Sequence, residues 1–169
     1  RAFEREARIL ARLRHPALPR VIDHFDDPAG HFLVMDFFPG PDMAAMVQQR
    51  RHPFPLDDVL GWVDQMLDAL EYLHGQNVLH RDIKPQNLKL NDQGKIVLLD
   101  FGLAKGSTGA QTQALSSVRA YTAHYAALEQ MQGSGTNPRS DLYSLAATAH
   151  TLLTRDLPPD ALHRASLVL

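Results

Sequence analysis

Two acidic residues, Asp82 and Asp100, stand 100 − 82 = 18 positions apart, around a stretch that reads as a hairpin. The first lies in His80-Arg81-Asp82-Ile83-Lys84-Pro85-Gln86-Asn87, and the second opens Asp100-Phe101-Gly102. Between them a short strand-like run is followed by Asn91-Asp92-Gln93-Gly94, then by the apolar run Lys95 to Leu99. Turn residues flanked by two short extended segments predict strands that fold back on each other. A hairpin of that length carries both carboxylates to one cleft, and the rest of the chain must fold around it.

The flanking pattern supplies helices and a second hairpin. Over residues 1–14, Phe3, Ala7, Leu10 and Leu13 share one helical face while Arg1, Arg5, Arg8 and Arg12 share another. His15-Pro16 ends that helix, because a residue before proline is driven out of helical geometry. Strands are predicted from Arg20 to Phe25 and from His31 to Phe37, around a turn at residues 26–30, and Pro39-Gly40-Pro41 reads as a hinge. Leu56, Val59, Leu60, Val63, Met66, Leu67, Leu70 and Leu73 keep helical spacing from Leu56 to His74, with Gly75 placed to end the helix in a left-handed turn. Residues 103–124 read as a long loop, and residues 140–154, with Leu142, Leu145, Leu152 and Leu153, as a helix that Pro158-Pro159 stops.

Composition narrows the partners. A net charge of −2 gives no electrostatic reason to expect nucleic acid or an anionic membrane. With no cysteine, disulfides and thiolate metal sites are excluded, which fits a cytoplasmic setting. No apolar run approaches the roughly 18 residues of a spanning helix, so no membrane contact is expected of this segment. The nine histidines include no His-x-x-x-His or His-Glu-x-x-His pair, and no metal site beyond Mg2+ is expected.

The chemistry that suits this residue set is phosphoryl transfer, which needs a nucleotide, metal ions and an acceptor hydroxyl held in line while charge is neutralised. Asp82 can accept a hydroxyl proton, Lys84 can lie against the transferring group, and Asn87 and Asp100 offer the hard oxygen ligands Mg2+ prefers. Phe101 and Gly102 would pack and pivot behind Asp100.

Taken together, these motifs resemble the middle of a protein kinase domain of the bacterial serine/threonine type, over nearly the whole chain from Phe3 to Pro158-Pro159. The resemblance implies an α+β, two-lobed fold, seen in part, with residues 1–38 a remnant of the N-lobe. Residues 39–169 would then hold the hinge and an incomplete C-lobe, with an activation segment at about 100–129. It implies transfer of the ATP γ-phosphate, with Mg2+, to Ser or Thr hydroxyls of protein substrates. Asp82 and Lys84 are then catalytic, and Asn87 and Asp100 hold the metal. Met35 corresponds to the gatekeeper, backbone groups of Asp36 and Phe38 to the adenine contacts, and the aliphatic stem of Lys89 to the adenine floor. Glu6 matches the helix glutamate that pairs with a nucleotide-positioning lysine, and Thr122 resembles the serine/threonine branch. His80 packs under the catalytic loop, Arg81 can pair with a phosphate at Thr112, Ser116, Ser117 or Thr122, Glu129 pairs with an arginine, and Asp141 belongs to the same supporting set.

The pattern also departs from the family. Ala120, Ala123 and Ala127 stand for a glycine and two prolines, which should loosen the substrate-binding loop. Lys89 occupies a commonly apolar position, and Ala146 and Arg155 stand where glycines are usual. Neither a glycine-rich phosphate loop nor a strand lysine precedes Arg1, so the segment alone is expected to turn over little or no nucleotide. Leu10, Val21 and Phe32 are then expected to be exposed and to favour association, which allows for dimerisation or autophosphorylation in trans. Two alternatives stay open: a pseudokinase that binds nucleotide or partners, and a small-molecule phosphotransferase of related fold.

Overall fold

The computed structural model describes residues 7–100 and 123–166. Glu6, Phe101, Gly102, Thr112, Ser116, Ser117 and Thr122 lie outside the described residues. Residues 7–10 are helical, and the helix closes earlier than the expected residue 14, through tight bonds from Arg12 N–H to Ile9 C=O and Leu13 N–H to Leu10 C=O, both 3.1 Å. The Arg14 guanidinium takes over the terminal carbonyls, donating to Ala11 C=O at 2.8 Å and Leu13 C=O at 2.7 Å. Ala7, Leu10 and Leu13 all face inward, as their spacing predicts.

Strands β1 (Val21–Asp27) and β2 (Gly30–Met35) pair antiparallel. Their turn is Pro28-Ala29, tighter than the expected five residues. The Asp27 carboxylate accepts the Ala29 and Gly30 N–H groups at 2.6 and 3.2 Å, and Gly30, at φ +146°, pairs directly with Asp27. Phe25 and Phe32 stack across the strands on an exposed face. The expected exposure of Leu10 and Val21 is corrected: both join the main apolar core, whereas Phe32 is exposed.

Helix α1 (Met43–Gln49) has no strong signature in the sequence because only Met43 and Val47 are buried. Asp42 starts it by accepting the Ala45 N–H at 2.8 Å. Helix α2 (Leu56–Gly75) is the central element, and its buried stripe is Val59, Trp62, Met66, Ala69, Leu70 and Leu73. Leu56, Leu60 and Leu67, expected on that stripe, are exposed, since they lie about 90–130° of helix rotation from its centre. The left-handed residue after α2 is Asn77, at φ +57°, and not Gly75, which stays in the helix. Asparagine is one of the few side chains that tolerates this conformation.

The predicted second hairpin is present as β3 (Leu88–Leu90) and β4 (Ile96–Leu98), antiparallel, with every β4 side chain buried. Its turn is organised by Asn91 Oδ1, which accepts the Gln93 and Lys95 N–H groups at 2.9 Å each. Trp62 Nε1 donates to Gly94 C=O at 3.2 Å, and Ile96 N–H to Gln65 Oε1 at 3.2 Å, so α2 grips the hairpin at both strand and turn. Helices α3 (Leu128–Gln132), α4 (Pro138–Thr154) and α5 (Ala161–Ser166) follow, and α4 packs against α2. The inner stripe of α4 is largely small or polar, with Ser140, Asp141, Ser144, Thr148 and Thr151 buried beside Leu145 and Leu152. No described helix is long and apolar enough to cross a membrane.

Candidate active site

The 3-10 turn Pro85–Asn87 bends the chain so that Asn87 returns onto Asp82. Asn87 Nδ2 donates to Asp82 C=O at 2.8 Å and to Asp82 Oδ2 at 3.1 Å, and Lys84 Nζ reaches the same Oδ2 at 3.2 Å. The Lys84 and Asp82 side chains are only 11% and 12% exposed, so solvent screens this pair far less than a surface one. With its nitrogen committed to Asp82, the Asn87 amide keeps its oxygen as an acceptor. Leu99 N–H donates to Asn87 C=O at 2.8 Å, which ties the ends of the hairpin one residue before Asp100. Asp82, Lys84 and Asn87 thus meet within hydrogen-bonding distance, and the hairpin returns the chain to Asn87 one residue before Asp100.

His80 lies beneath them, fully buried. Its Nε2 meets Leu99 C=O at 3.0 Å and its Nδ1 meets Asp82 N–H at 3.3 Å. These partners require a neutral ring carrying its proton on Nε2. Burial pushes the imidazole below its ordinary range, against the opposing pull of Asp141, the Leu99 carbonyl, Asp82 and Asp100.

Two helices hold the loop from the other side. Asp141 of α4, 1% exposed, accepts Arg81 N–H on Oδ1 at 2.8 Å and His80 N–H on Oδ2 at 3.0 Å, with His74 Nε2 2.9 Å from Oδ2. Gln130 of α3 donates through Nε2 to Arg81 C=O at 3.0 Å. Arg81 itself is left-handed, at φ +68°, and its residue is exposed. Glu129 accepts a hydrogen bond from Ser140 Oγ, which, with a backbone bond, holds its carboxyl below the usual range.

A cleft of about 490 Å³ opens between Leu33 to Phe38 on one side and Lys89, Leu99 and Asp100 on the other. Met35, Asp36 and Phe38 line it. Lys89 is there too, but its ammonium folds onto the hinge, donating to Phe38 C=O at 2.8 Å and lying 5.7 Å from the Phe37 ring centroid. Asp36 N–H is bonded to Arg20 C=O at 3.0 Å. Among the described residues no hydrogen-bond partner occupies Asp36 C=O or Phe38 N–H.

The sequence reading missed Gln130 and His74. Gln130 stands at the third position of a short helix, where glutamine commonly caps, and His74 in the last turn of α2, where a cationic or polar residue is usual. Both signals point to helix ends, and neither to the actual partners, Arg81 C=O 49 residues from Gln130 and the Asp141 carboxylate of α4 67 residues from His74.

A family model described as protein kinase domain matches residues 1–167. Serine/threonine-protein kinase F of Synechocystis is 38% identical over 167 residues, which cover 90% of this chain and 33% of that protein. The probable serine/threonine-protein kinase PknB of Lactococcus lactis is 31% identical over 159 residues, 94% of this chain and 25% of that protein. The chain thus spans a third or less of the length of these two relatives. Among solved structures, the crystal structure of the Mycobacterium tuberculosis PknI kinase domain superposes with a TM-score of 0.75 at 31% identity, over 94% of this chain and 58% of that one.

Proposed function

Because this chain belongs to the protein kinase domain family and takes part of its α+β fold, we propose that it carries the phosphotransfer centre of a serine/threonine protein kinase. The observation that supports this reading is the convergence of Lys84 and Asn87 on Asp82 Oδ2, with the chain returning to Asn87 through Leu99, the residue before Asp100. ATP enters the cleft between the hinge and Lys89, its base against Asp36 C=O and Phe38 N–H. Asp82 accepts the proton of a Ser or Thr hydroxyl on a protein substrate, and the two donors on Oδ2 fix the direction its carboxylate faces. Lys84 places positive charge beside the position of the transferred group.

The donor set suits Mg2+, which when bound neutralises the charge that develops on the phosphates. Asn87 Oδ1 and the Asp100 carboxylate would hold it. Mg2+ commonly takes few protein oxygens and completes its shell with water and nucleotide phosphates. In this reading residues 1–38 belong to the N-lobe and 39–169 to the hinge and C-lobe. The segment works in the cytoplasm on proteins, without nucleic acid, and a second copy serves as substrate or partner.

The test is phosphotransfer by the full-length protein with Mg-ATP and Ser- and Thr-containing peptides, with sites mapped by mass spectrometry. Asp82→Asn is expected to lower the rate about 10²- to 10⁴-fold while leaving nucleotide affinity near that of the unmodified protein. Nucleotide binding with no transfer by either form would favour the pseudokinase alternative, and equal rates for both forms would remove Asp82 from the chemistry.

A further inference from the structure

The peptide unit between Arg81 and Asp82 is held at both of its polar ends. Its carbonyl, Arg81 C=O, accepts from Gln130 Nε2 at 3.0 Å, and its N–H, on Asp82, donates to His80 Nδ1 at 3.3 Å. A peptide is rigid and planar, so fixing both groups fixes the plane, and the plane sets the direction in which the Asp82 side chain leaves the backbone. The Arg81 N–H on the preceding peptide is held separately by Asp141, so these two contacts are what fix the following peptide. Released, that peptide can rotate about ψ of Arg81 and φ of Asp82, and Asp82 would then be aimed elsewhere.

We propose that Gln130 is a positioning residue for Asp82: it locks the Arg81–Asp82 peptide and so ties the geometry of the catalytic loop to the seating of α3. The inference rests on the role assigned to Asp82 above. The side chain does this with both ends of its amide. Gln130 Oε1 accepts the Ala127 N–H at 3.0 Å, at the start of α3, while Nε2 holds the loop. A flipped amide would set nitrogen against an N–H and oxygen against a carbonyl, so the pair of contacts fixes its orientation. No other side chain of that length offers an acceptor and a donor in this arrangement. When α3 shifts, the support under Arg81 C=O goes with it, and the catalytic loop registers the state of the segment that leads into α3.

Gln130→Glu separates the two contacts. A carboxylate can still accept the Ala127 N–H, but it cannot donate to Arg81 C=O, whereas Gln130→Met loses both. In the full-length protein, Gln130→Glu is expected to lower kcat about ten- to a hundredfold, with KM for ATP within about twofold and the thermal midpoint little changed. Hydrogen exchange at the Asp82 amide should speed up in the same variant. A loss of kcat confined to Gln130→Met, with Gln130→Glu at the original rate and unchanged amide exchange, would assign Gln130 to capping α3 alone and overturn the proposal. Should the unmodified protein transfer no phosphate at all, the functional reading fails, and amide exchange by itself decides whether the lock exists.

Discussion

Asp141→Asn is the substitution whose cost follows most directly from the geometry. The Asp141 side chain is buried and spends one oxygen on Arg81 N–H and the other on His80 N–H and His74 Nε2. Asparagine has the same shape but a single acceptor. If that oxygen stays on Arg81 N–H, the new NH2 group faces His80 N–H, and a buried donor meets a donor. His74 Nε2 can switch to accepting from the new NH2 group, so the loss is one hydrogen bond to a charged group, that of His80 N–H, together with the desolvation of this stranded N–H, in all about 3 kcal/mol. For a urea dependence of about 2 kcal/mol per molar, the unfolding midpoint should fall by about 1.5 M. An equilibrium urea titration followed by Trp62 fluorescence measures this. Asp68→Asn is the control, because Asp68 is 75% exposed and its 3.0 Å contact to His15 is a surface pair, expected to be worth less than about 1 kcal/mol. A midpoint shift for Asp141→Asn no larger than that of Asp68→Asn would refute the claim that the carboxylate carries the loop backbone.

Two further outcomes follow from single sites. Burial holds the His80 imidazole below its ordinary range, so between its folded and unfolded values the unfolded chain binds the extra proton. Stability from this group is complete above about pH 6.5 and declines as pH falls below it, by at most about 1.4 kcal/mol per pH unit; urea midpoints measured from pH 8 to 5 should show a shallower decline for His80→Gln, and an unchanged slope would count against a neutral buried ring. Arg155 closes α4 at φ +68° while its guanidinium donates to Val47 C=O at 3.4 Å and Arg51 C=O at 3.0 Å, tying α4 to the end of α1. Arg155→Ala keeps the strained backbone and loses the tether, so it should cost about 1–2 kcal/mol; Arg155→Gly relieves the strain as it loses the tether and should come out near neutral in thermal unfolding. Equal losses in the two would mean that backbone strain at this position is negligible.

The segment proposed to carry the chemistry was legible because its residues are near one another in the chain. His80 to Asn87 are contiguous, Asp100 follows a turn spelled out by Asn91 to Gly94, and the register of so short a hairpin leaves little freedom in where its ends meet. Helix α2 was legible for a similar reason, since 20 residues of repeating apolar spacing outweigh any single exception. Its finer facing was not: leucine is apolar wherever it lies, and whether Leu60 or Trp62 turns inward depends on what stands opposite, here the Gly94 turn that accepts the indole N–H.

What residue order alone could establish was thus the family and the elements that present its motifs, because both are properties of neighbours in the chain. Three contacts needed the folded molecule: the Asp141 carboxylate under the loop backbone, the Gln130 amide on Arg81 C=O, and the Lys89 ammonium on the hinge. Each joins residues 49 to 60 positions apart. A hydrogen bond depends on distances of a few tenths of an ångström and on donor direction, and packing of helix on hairpin, which no local pattern encodes, sets both.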